Sequence, residues 1–243
     1  MPIYIGAHKC DNAIVGANEC DKIFAGTDLI FSRVSYKMLD YIGVTGTQCI
    51  ETNILVTNFN WKTVAEFIPG TSYDTSQTWK LLLGTSDNKY TLFAGYQSHQ
   101  SGYPETQFSF YLGYTVADPS VRKCYTTSFA GDASRRNIIT MLRGNSTVVF
   151  PSTGNTVSCP ANATITATTP TTVFRAFGTP SSPWSYNNLQ CLGIKIYDEN
   201  DILIHELLPA ERQPDGELGL LDTVTNSFYT NAGTGTFIKG NYI

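Results

Sequence analysis

Short apolar segments separated by turn residues recur along most of the chain, and this pattern constrains the fold more than any other feature. Residues 63–68 alternate polar and apolar side chains, as a strand with one buried face should. Segments 194–197 and 202–207 flank a four-residue acidic turn and predict a β-hairpin. No amphipathic pattern is long enough to predict a stable helix. Many short strands at close spacing predict an all-β, antiparallel β-sandwich.

The charge content supports this prediction and excludes several functions. Charged residues make up 15% of the chain, against about 25% in ordinary domains, which disfavours long surface helices rich in Glu and Lys. A net charge of -4 offers no basic surface, so no nucleic-acid partner is predicted. No apolar run approaches the roughly 18 residues of a membrane span. We therefore expect no membrane insertion, and the first residues lack a secretory signal pattern.

The first thirty residues contain a repeat with a period of ten. The sequence Gly-Ala-x-x-Cys-Asp at 6–11 returns at 16–21, and a weaker copy opens at Gly26. Apolar runs precede each glycine, which predicts a meander of short strands with glycine at turns. Because such small sheets are marginal in water, this module should dock on the main domain, on symmetry mates or on another protein. The predicted domains are an attachment module at 1–33 and a sandwich at 39–243, joined by a connector at 32–38.

The residue types that carry chemistry are present but scattered. The six cysteines form no Cys-x-x-Cys pair, and we expect buried free thiols, with three disulfides as the alternative that an even count allows. His8, His99 and His205 are far apart in sequence, and no strand places two carboxylates on one face as a glycosidase would require. The acidic residues at 198–201 are interpreted as turn formers, with calcium binding as a minor alternative. No catalytic residue, metal ligand or other cofactor is predicted.

Two loops combine aromatic side chains with small polar residues, at 93–103 and 181–188. Tyrosine and tryptophan present an apolar face and a polar tip, which suits both the C–H faces of sugars and protein surfaces. The alternative is that these aromatic rings pack over the edges of the sandwich. The candidate ligand-binding residues in the two loops are Tyr96, His99, Tyr103, Trp184 and Tyr186.

Two parts of the chain resemble a known family. Residues 39–52 read Leu-Asp-Tyr-Ile-Gly-Val-Thr-Gly-Thr-Gln-Cys-Ile-Glu-Thr, and residues 226–237 read Asn-Ser-Phe-Tyr-Thr-Asn-Ala-Gly-Thr-Gly-Thr-Phe. Both stretches, with 207–210 and 215–222, resemble laminin-G-like, concanavalin-A-like sandwiches of phage and gut-bacterial surface proteins. Cys49 stands where that family usually has an aromatic residue. The N-terminal repeat is similar to a short β-module that precedes such sandwiches in phage tail proteins.

The resemblance implies a fold and a function. The fold is a concanavalin-A-like jelly roll, and the function is that of a non-enzymatic phage virion protein in a tail or fibre. It implies contacts with other virion proteins through residues 1–33, binding of a host-surface glycan or protein, and a homo-oligomer, commonly a trimer. The expected location is the virion, assembled in the bacterial cytoplasm. The alternatives are a decoration protein that contacts only virion proteins and, less favoured, a glycan-degrading enzyme or a bacterial adhesin.

Overall fold

The structure is a computed structural model. Side chains are described for residues 34–55, 61–68, 82–84, 136, 138–141, 169–175 and 189–243, and elsewhere only the strands named below are described, as backbone. Within this part of the chain every regular element is a β-strand, and no helix of a length and hydropathy suited to crossing a bilayer occurs.

The N-terminal strands pair as three separate two-stranded antiparallel sheets. The predicted short strands are present, but they form three hairpins rather than one continuous meander, because the described ladders join the first strand to the second, the third to the fourth and the fifth to the sixth. The division into domains at 1–33 and 39–243 stays a prediction. The six strands are β1 (Ile3–Ile5), β2 (His8–Cys10), β3 (Ala13–Val15), β4 (Asn18–Cys20), β5 (Lys22–Ala25) and β6 (Asp28–Ser32).

The remaining strands form two sheets, which we call the large sheet and the small sheet. The large sheet has eleven strands: β7 (Ser35–Met38), β8 (Ile42–Gly43), β10 (Lys62–Ile68), β15 (Asn137–Leu142), β16 (Thr147–Phe150), β17 (Asn155–Ser158), β19 (Gln190–Tyr197), β20 (Leu203–Gln213), β21 (Leu218–Asp222), β22 (Ser227–Thr230) and β23 (Ile238–Lys239). The small sheet has six: β9 (Ile50–Glu51), β11 (Trp79–Thr85), β12 (Phe93–Gln97), β13 (Gln107–Tyr111), β14 (Cys124–Thr126) and β18 (Thr171–Val173).

The chain passes repeatedly from one sheet to the other. The order along the main path of the large sheet is β17-β16-β15-β10-β19-β20-β21-β22, and the order in the small sheet is β14-β13-β12-β11-β18-β9. Strands distant in sequence therefore become neighbours, as in a jelly roll, and all the pairings are antiparallel. This architecture confirms the predicted fold class, and the β19–β20 pairing confirms the predicted hairpin.

The connector prediction for residues 32–38 is wrong in its second half. Residues 35–38 form β7, which pairs with β20 in the register Met38 to Ala210 through Ser35 to Gln213. None of the β7 side chains is buried. Tyr36 and Met38 are partly buried and alternate with exposed residues, and the Tyr36 ring lies 5.0 Å from the ring of Phe228. The alternation covers only four residues, so it gives a weak signal for a strand in the sequence.

One apolar core lies between the two sheets. Strand β10 buries Thr63, Ala65 and Phe67 and leaves the intervening residues partly exposed. Each large apolar side chain that is fully buried contributes about 1.5–3 kcal/mol relative to an exposed one. The core also includes Ile139, Met141, Ile194, Ile196 and Leu207 from the large sheet, and Ile50, Leu82, Leu83 and Val173 from the small sheet.

The two stretches that carry the family resemblance are in contact, and we call residues 45–49 and 231–236 the terminal clasp. The Gln48 side chain accepts hydrogen bonds from the backbone N–H groups of Thr45 at 2.9 Å and Gly46 at 3.0 Å. Its Nε2 donates to the carbonyl of Thr236 at 3.0 Å. Asn231 Oδ1 accepts from the N–H of Cys49 at 3.1 Å. The clasp thus joins the beginning and the end of the sandwich.

Candidate binding groove on the large sheet

The five loop residues predicted to bind ligand are not tested by the structure. The loop predicted at 93–103 is wrong in its first part, because residues 93–97 form β12; the backbone of Tyr96 is thus described, but its side chain lies outside the described residues. His99, Tyr103, Trp184 and Tyr186 also lie outside the described residues. A ligand site in these loops therefore stays a prediction.

A groove of about 220 Å³ lies on the outer face of the large sheet, where β10, β19 and β20 run side by side. Its position follows from strand alternation. Because Ala65, Ile194 and Leu207 point into the core, their neighbours along each strand point outward. The groove is lined by Val64, Glu66, Arg136, Leu192, Gly193, Lys195, Glu206 and Leu208.

Gly193 keeps the floor of the groove open. It lies opposite Glu66, next to a β-bulge between Glu66 and Phe67 that leaves Leu192 as an extra residue on β19. A Cβ atom on Gly193 would lie 3.2 Å from Leu208 Cδ2 and would occupy space above the sheet. Bulges and strand glycines often mark places where a ligand or backbone approaches closely.

Two ion pairs stand on either side of this floor. Arg136 Nη2 donates to Glu66 Oε2, and Lys195 Nζ lies 3.2 Å from Glu206 Oε1. The cationic side chains of Arg136 and Lys195 are 58% and 42% exposed, whereas the paired carboxylates Glu66 and Glu206 are 26% and 23% exposed. The positive ends of both pairs therefore lie nearer to solvent.

The Lys195–Glu206 pair is fixed in its charged form. The hydrogen bond from the Thr223 hydroxyl, 2.6 Å long, and the one from Lys195 hold the pKa of Glu206 below its ordinary value despite partial burial. The hydrogen bond to Glu206 in turn raises the pKa of Lys195. At neutral pH the groove thus presents charged donors and acceptors at set positions, together with the apolar side chains of Val64 and Leu208.

A second polar cluster lies outside the groove, where the beginning of β20 meets the end of β21. His205 Nδ1 is 2.7 Å from Oδ2 of Asp222, whose side chain is fully buried. Asp222 also accepts from the N–H groups of Glu206 and Val224, each at 3.1 Å, and from the Thr225 hydroxyl at 2.7 Å. These contacts make His205 a hydrogen-bonded strand residue and give the cluster a structural role.

The acidic turn at 198–201 also has a structural role. Asp198 Oδ1 accepts hydrogen bonds from the N–H groups of Asn200 and Ile202, each at 2.8 Å, and Asp201 pairs with Lys62. The interpretation of these residues as turn formers is confirmed, because their carboxylates hold the turn and tie it to β10. Among the described residues, no group of three His, Cys, Asp or Glu side chains could hold a metal ion.

Two cysteines can be compared with the sequence prediction. Cys49 and Cys191 are buried free thiols, as expected for these two positions. Burial raises the pKa of both, and that of Cys191 to about 12. Neither side chain is therefore a reactive thiolate at neutral pH.

The groove was not predicted from the sequence. Its outward residues could have been read from the same alternation that predicted the strand at 63–68, since Val64 and Glu66 are the partners of the buried set. What alternation cannot supply is the register that brings Gly193 beside Glu66 and Lys195 beside Glu206.

Comparison with known proteins gives only low structural similarity. No protein-family model and no curated protein matches the chain. Xenopus laevis galectin-Ib aligns with a TM-score of 0.42 at 8% identity, over 62% of this chain and 99% of the galectin. A toad ovary galectin in complex with N-acetylgalactose aligns with a TM-score of 0.40 at 9% identity, over 61% and 96% of the two chains. A congerin II double mutant aligns with a TM-score of 0.39 at 11% identity, over 61% and 98%. Similarity this low assigns the chain to no family.

Proposed function

We propose that this chain is a non-enzymatic, glycan-binding structural protein of a phage tail or fibre, and that the groove on the large sheet holds the glycan. The observation that carries the proposal is the combination of surfaces in the groove. Val64, Leu192 and Leu208 provide apolar walls, while Glu66 and Glu206 belong to charged pairs that can exchange hydrogen bonds with hydroxyl groups. Binding sites typically join apolar lining with a few fixed polar groups.

The rigidity of the groove supports the same proposal. All but one of its residues lie on paired strands, and each carboxylate is held by a cation. Because the polar groups are already oriented, a bound sugar would restrict few additional side-chain torsions, and such pre-organisation favours affinity. A shallow site open to solvent suits a glycan on a cell surface, which must be reached without a large conformational change.

The virion role rests on the N-terminal strands together with the family resemblance. The strands at 3–10, 13–20 and 22–32 pair as three two-stranded hairpins, and isolated hairpins are marginal in water. In this proposal they attach the chain to other virion proteins and to further copies of itself, as a trimer in the virion. Display of several sandwiches would then raise a weak single-site affinity without new contacts.

A larger side chain at position 193 would fill the floor of the groove and so tests whether the glycan binds there. Gly193→Val places two methyl groups above the sheet beside Leu208, so the affinity for any glycan that wild-type protein binds should fall at least about tenfold. Binding is measured against a panel of bacterial surface glycans after thermal denaturation has shown that the variant folds. The control is Val224→Ala, an exposed apolar site outside the groove, which should bind as wild type does.

A combined Tyr96, Tyr103, Trp184 and Tyr186 alanine variant separates the groove from the loops. If it binds normally while Gly193→Val does not, the groove is the site. The reverse result would place the glycan in the loops and overturn the groove assignment. If the folded, assembled wild-type protein binds no glycan, the glycan proposal fails and the decoration role takes its place.

A further inference from the structure

We infer that the groove selects acidic saccharides, namely sugars carrying a carboxylate such as uronic or sialic acids. This inference rests on the proposed function and specifies its ligand class. The structural basis is the orientation of the two ion pairs described above. In both, the cation is about twice as exposed as its carboxylate, so an approaching ligand first meets Arg136 and Lys195.

Both cations keep donors for a second partner. A guanidinium group has five N–H donors and an ammonium group has three. Arg136 contacts Glu66 through Nη2, and Lys195 contacts Glu206 through Nζ. A ligand carboxylate can therefore accept charge-assisted hydrogen bonds from these cations without displacing either glutamate. A neutral hydroxyl group would accept weaker hydrogen bonds from the same donors.

The inner carboxylates favour the same ligand class in a second way. Glu66 and Glu206 are less exposed than their partners and are already paired, so they hold the cations in place, and their own contacts with the ligand are restricted to hydroxyl groups. The sum of the four charges is zero, but the cations lie nearer to solvent than the carboxylates, so we expect a positive electrostatic potential at the rim of the groove. Since the rim is open to solvent, the attraction should be moderate and should weaken with salt.

The test compares acidic and neutral sugars of equal length by calorimetry on the full chain. Oligomers of galacturonate, glucuronate and N-acetylneuraminate are titrated beside oligomers of galactose and glucose. We expect at least one acidic series to bind about tenfold more tightly than every neutral series at low salt, and this preference to shrink at high salt. Arg136→Gln and Lys195→Met should each reduce it.

Two variants that each remove one arginine or lysine charge outside the groove provide matched controls. Arg212→Gln breaks an exposed pair with Asp215, and Lys239→Met breaks a pair with Glu211, both outside the groove. These variants should keep the acidic preference. Equal binding of acidic and neutral sugars, or loss of the preference in the controls, would overturn the inference and leave the glycan proposal standing. Absence of binding to every sugar would remove both.

Discussion

Replacing Gly233 by alanine is expected to lower the free energy of unfolding by about 3 kcal/mol. A Cβ atom on Gly233 would lie 2.0 Å from the carbonyl oxygen of Thr47 and 3.2 Å from the backbone nitrogen of Cys49. No rotamer change relieves a contact with backbone, so residues 231–236 must move away from residues 45–49. That movement breaks the hydrogen bonds of the terminal clasp, including the one from Gln48 to Thr236. For a chain of this size the melting temperature should fall by about 6–12 °C.

Gly216→Ala provides the matched control for this prediction. Gly216 has a φ of 74°, and a Cβ atom there would meet no heavy atom within 4 Å. The substitution therefore costs only the backbone preference, about 1–2 kcal/mol. Urea denaturation of both variants gives the comparison directly. A Gly233→Ala variant no less stable than Gly216→Ala would show that the clasp does not constrain the sandwich.

The terminal clasp gives a physical reason for the sequence pattern near both ends of the sandwich. Asn231 Oδ1 accepts a hydrogen bond from the N–H group of Cys49 at 3.1 Å and another from that of Gly233 at 2.9 Å. Gly233 must lack a side chain so that the two segments can approach. The two stretches noticed separately in the sequence are thus one structural unit, which their separation of about 180 residues conceals.

Local patterns predicted the strands well where one face is buried. The alternation at 63–68 became β10, which spans Lys62–Ile68 and buries every second residue. The hairpin at β19 and β20 followed from two apolar runs around a turn whose Asp198 accepts two backbone N–H groups. In both cases the signal is local, since burial period and turn chemistry act over a few residues.

Features that depend on which strands pair with each other could not be predicted from local patterns. Strand β7 has no buried residue, and its pairing with β20 joins segments about 175 residues apart. The groove needs the register between β10 and β19, including the bulge after Glu66. Sequence periodicity assigns faces to individual strands, but it does not say which strands lie side by side.

Replacing Asp222 by alanine should also destabilise the fold strongly, by about 3 kcal/mol. The change leaves the N–H groups of Glu206 and Val224 and the Thr225 hydroxyl without their acceptor, and it removes the partner of His205. The asparagine of Asp222→Asn has the same shape and keeps an oxygen for the two backbone donors. The free energy of unfolding should therefore fall by only about 1 kcal/mol in this variant. Urea denaturation at pH 7 measures both losses. A loss below about 0.5 kcal/mol in Asp222→Ala would contradict the role assigned to these contacts.

The pH dependence of stability separates the charge of Asp222 from its shape. Burial by itself would raise the pKa of this carboxyl, but the hydrogen bonds from His205, Thr225 and two backbone amides outweigh it and hold the pKa below its ordinary value. A group with a lower pKa in the folded state contributes stability that is complete above its unfolded pKa of about 3.9. That contribution is lost as the pH falls through the folded pKa. Wild-type protein should therefore lose stability below about pH 4 more steeply than Asp222→Asn, which has no carboxyl to protonate. Equal slopes for the two proteins in acid would show that Asp222 acts through its shape and hydrogen bonds alone.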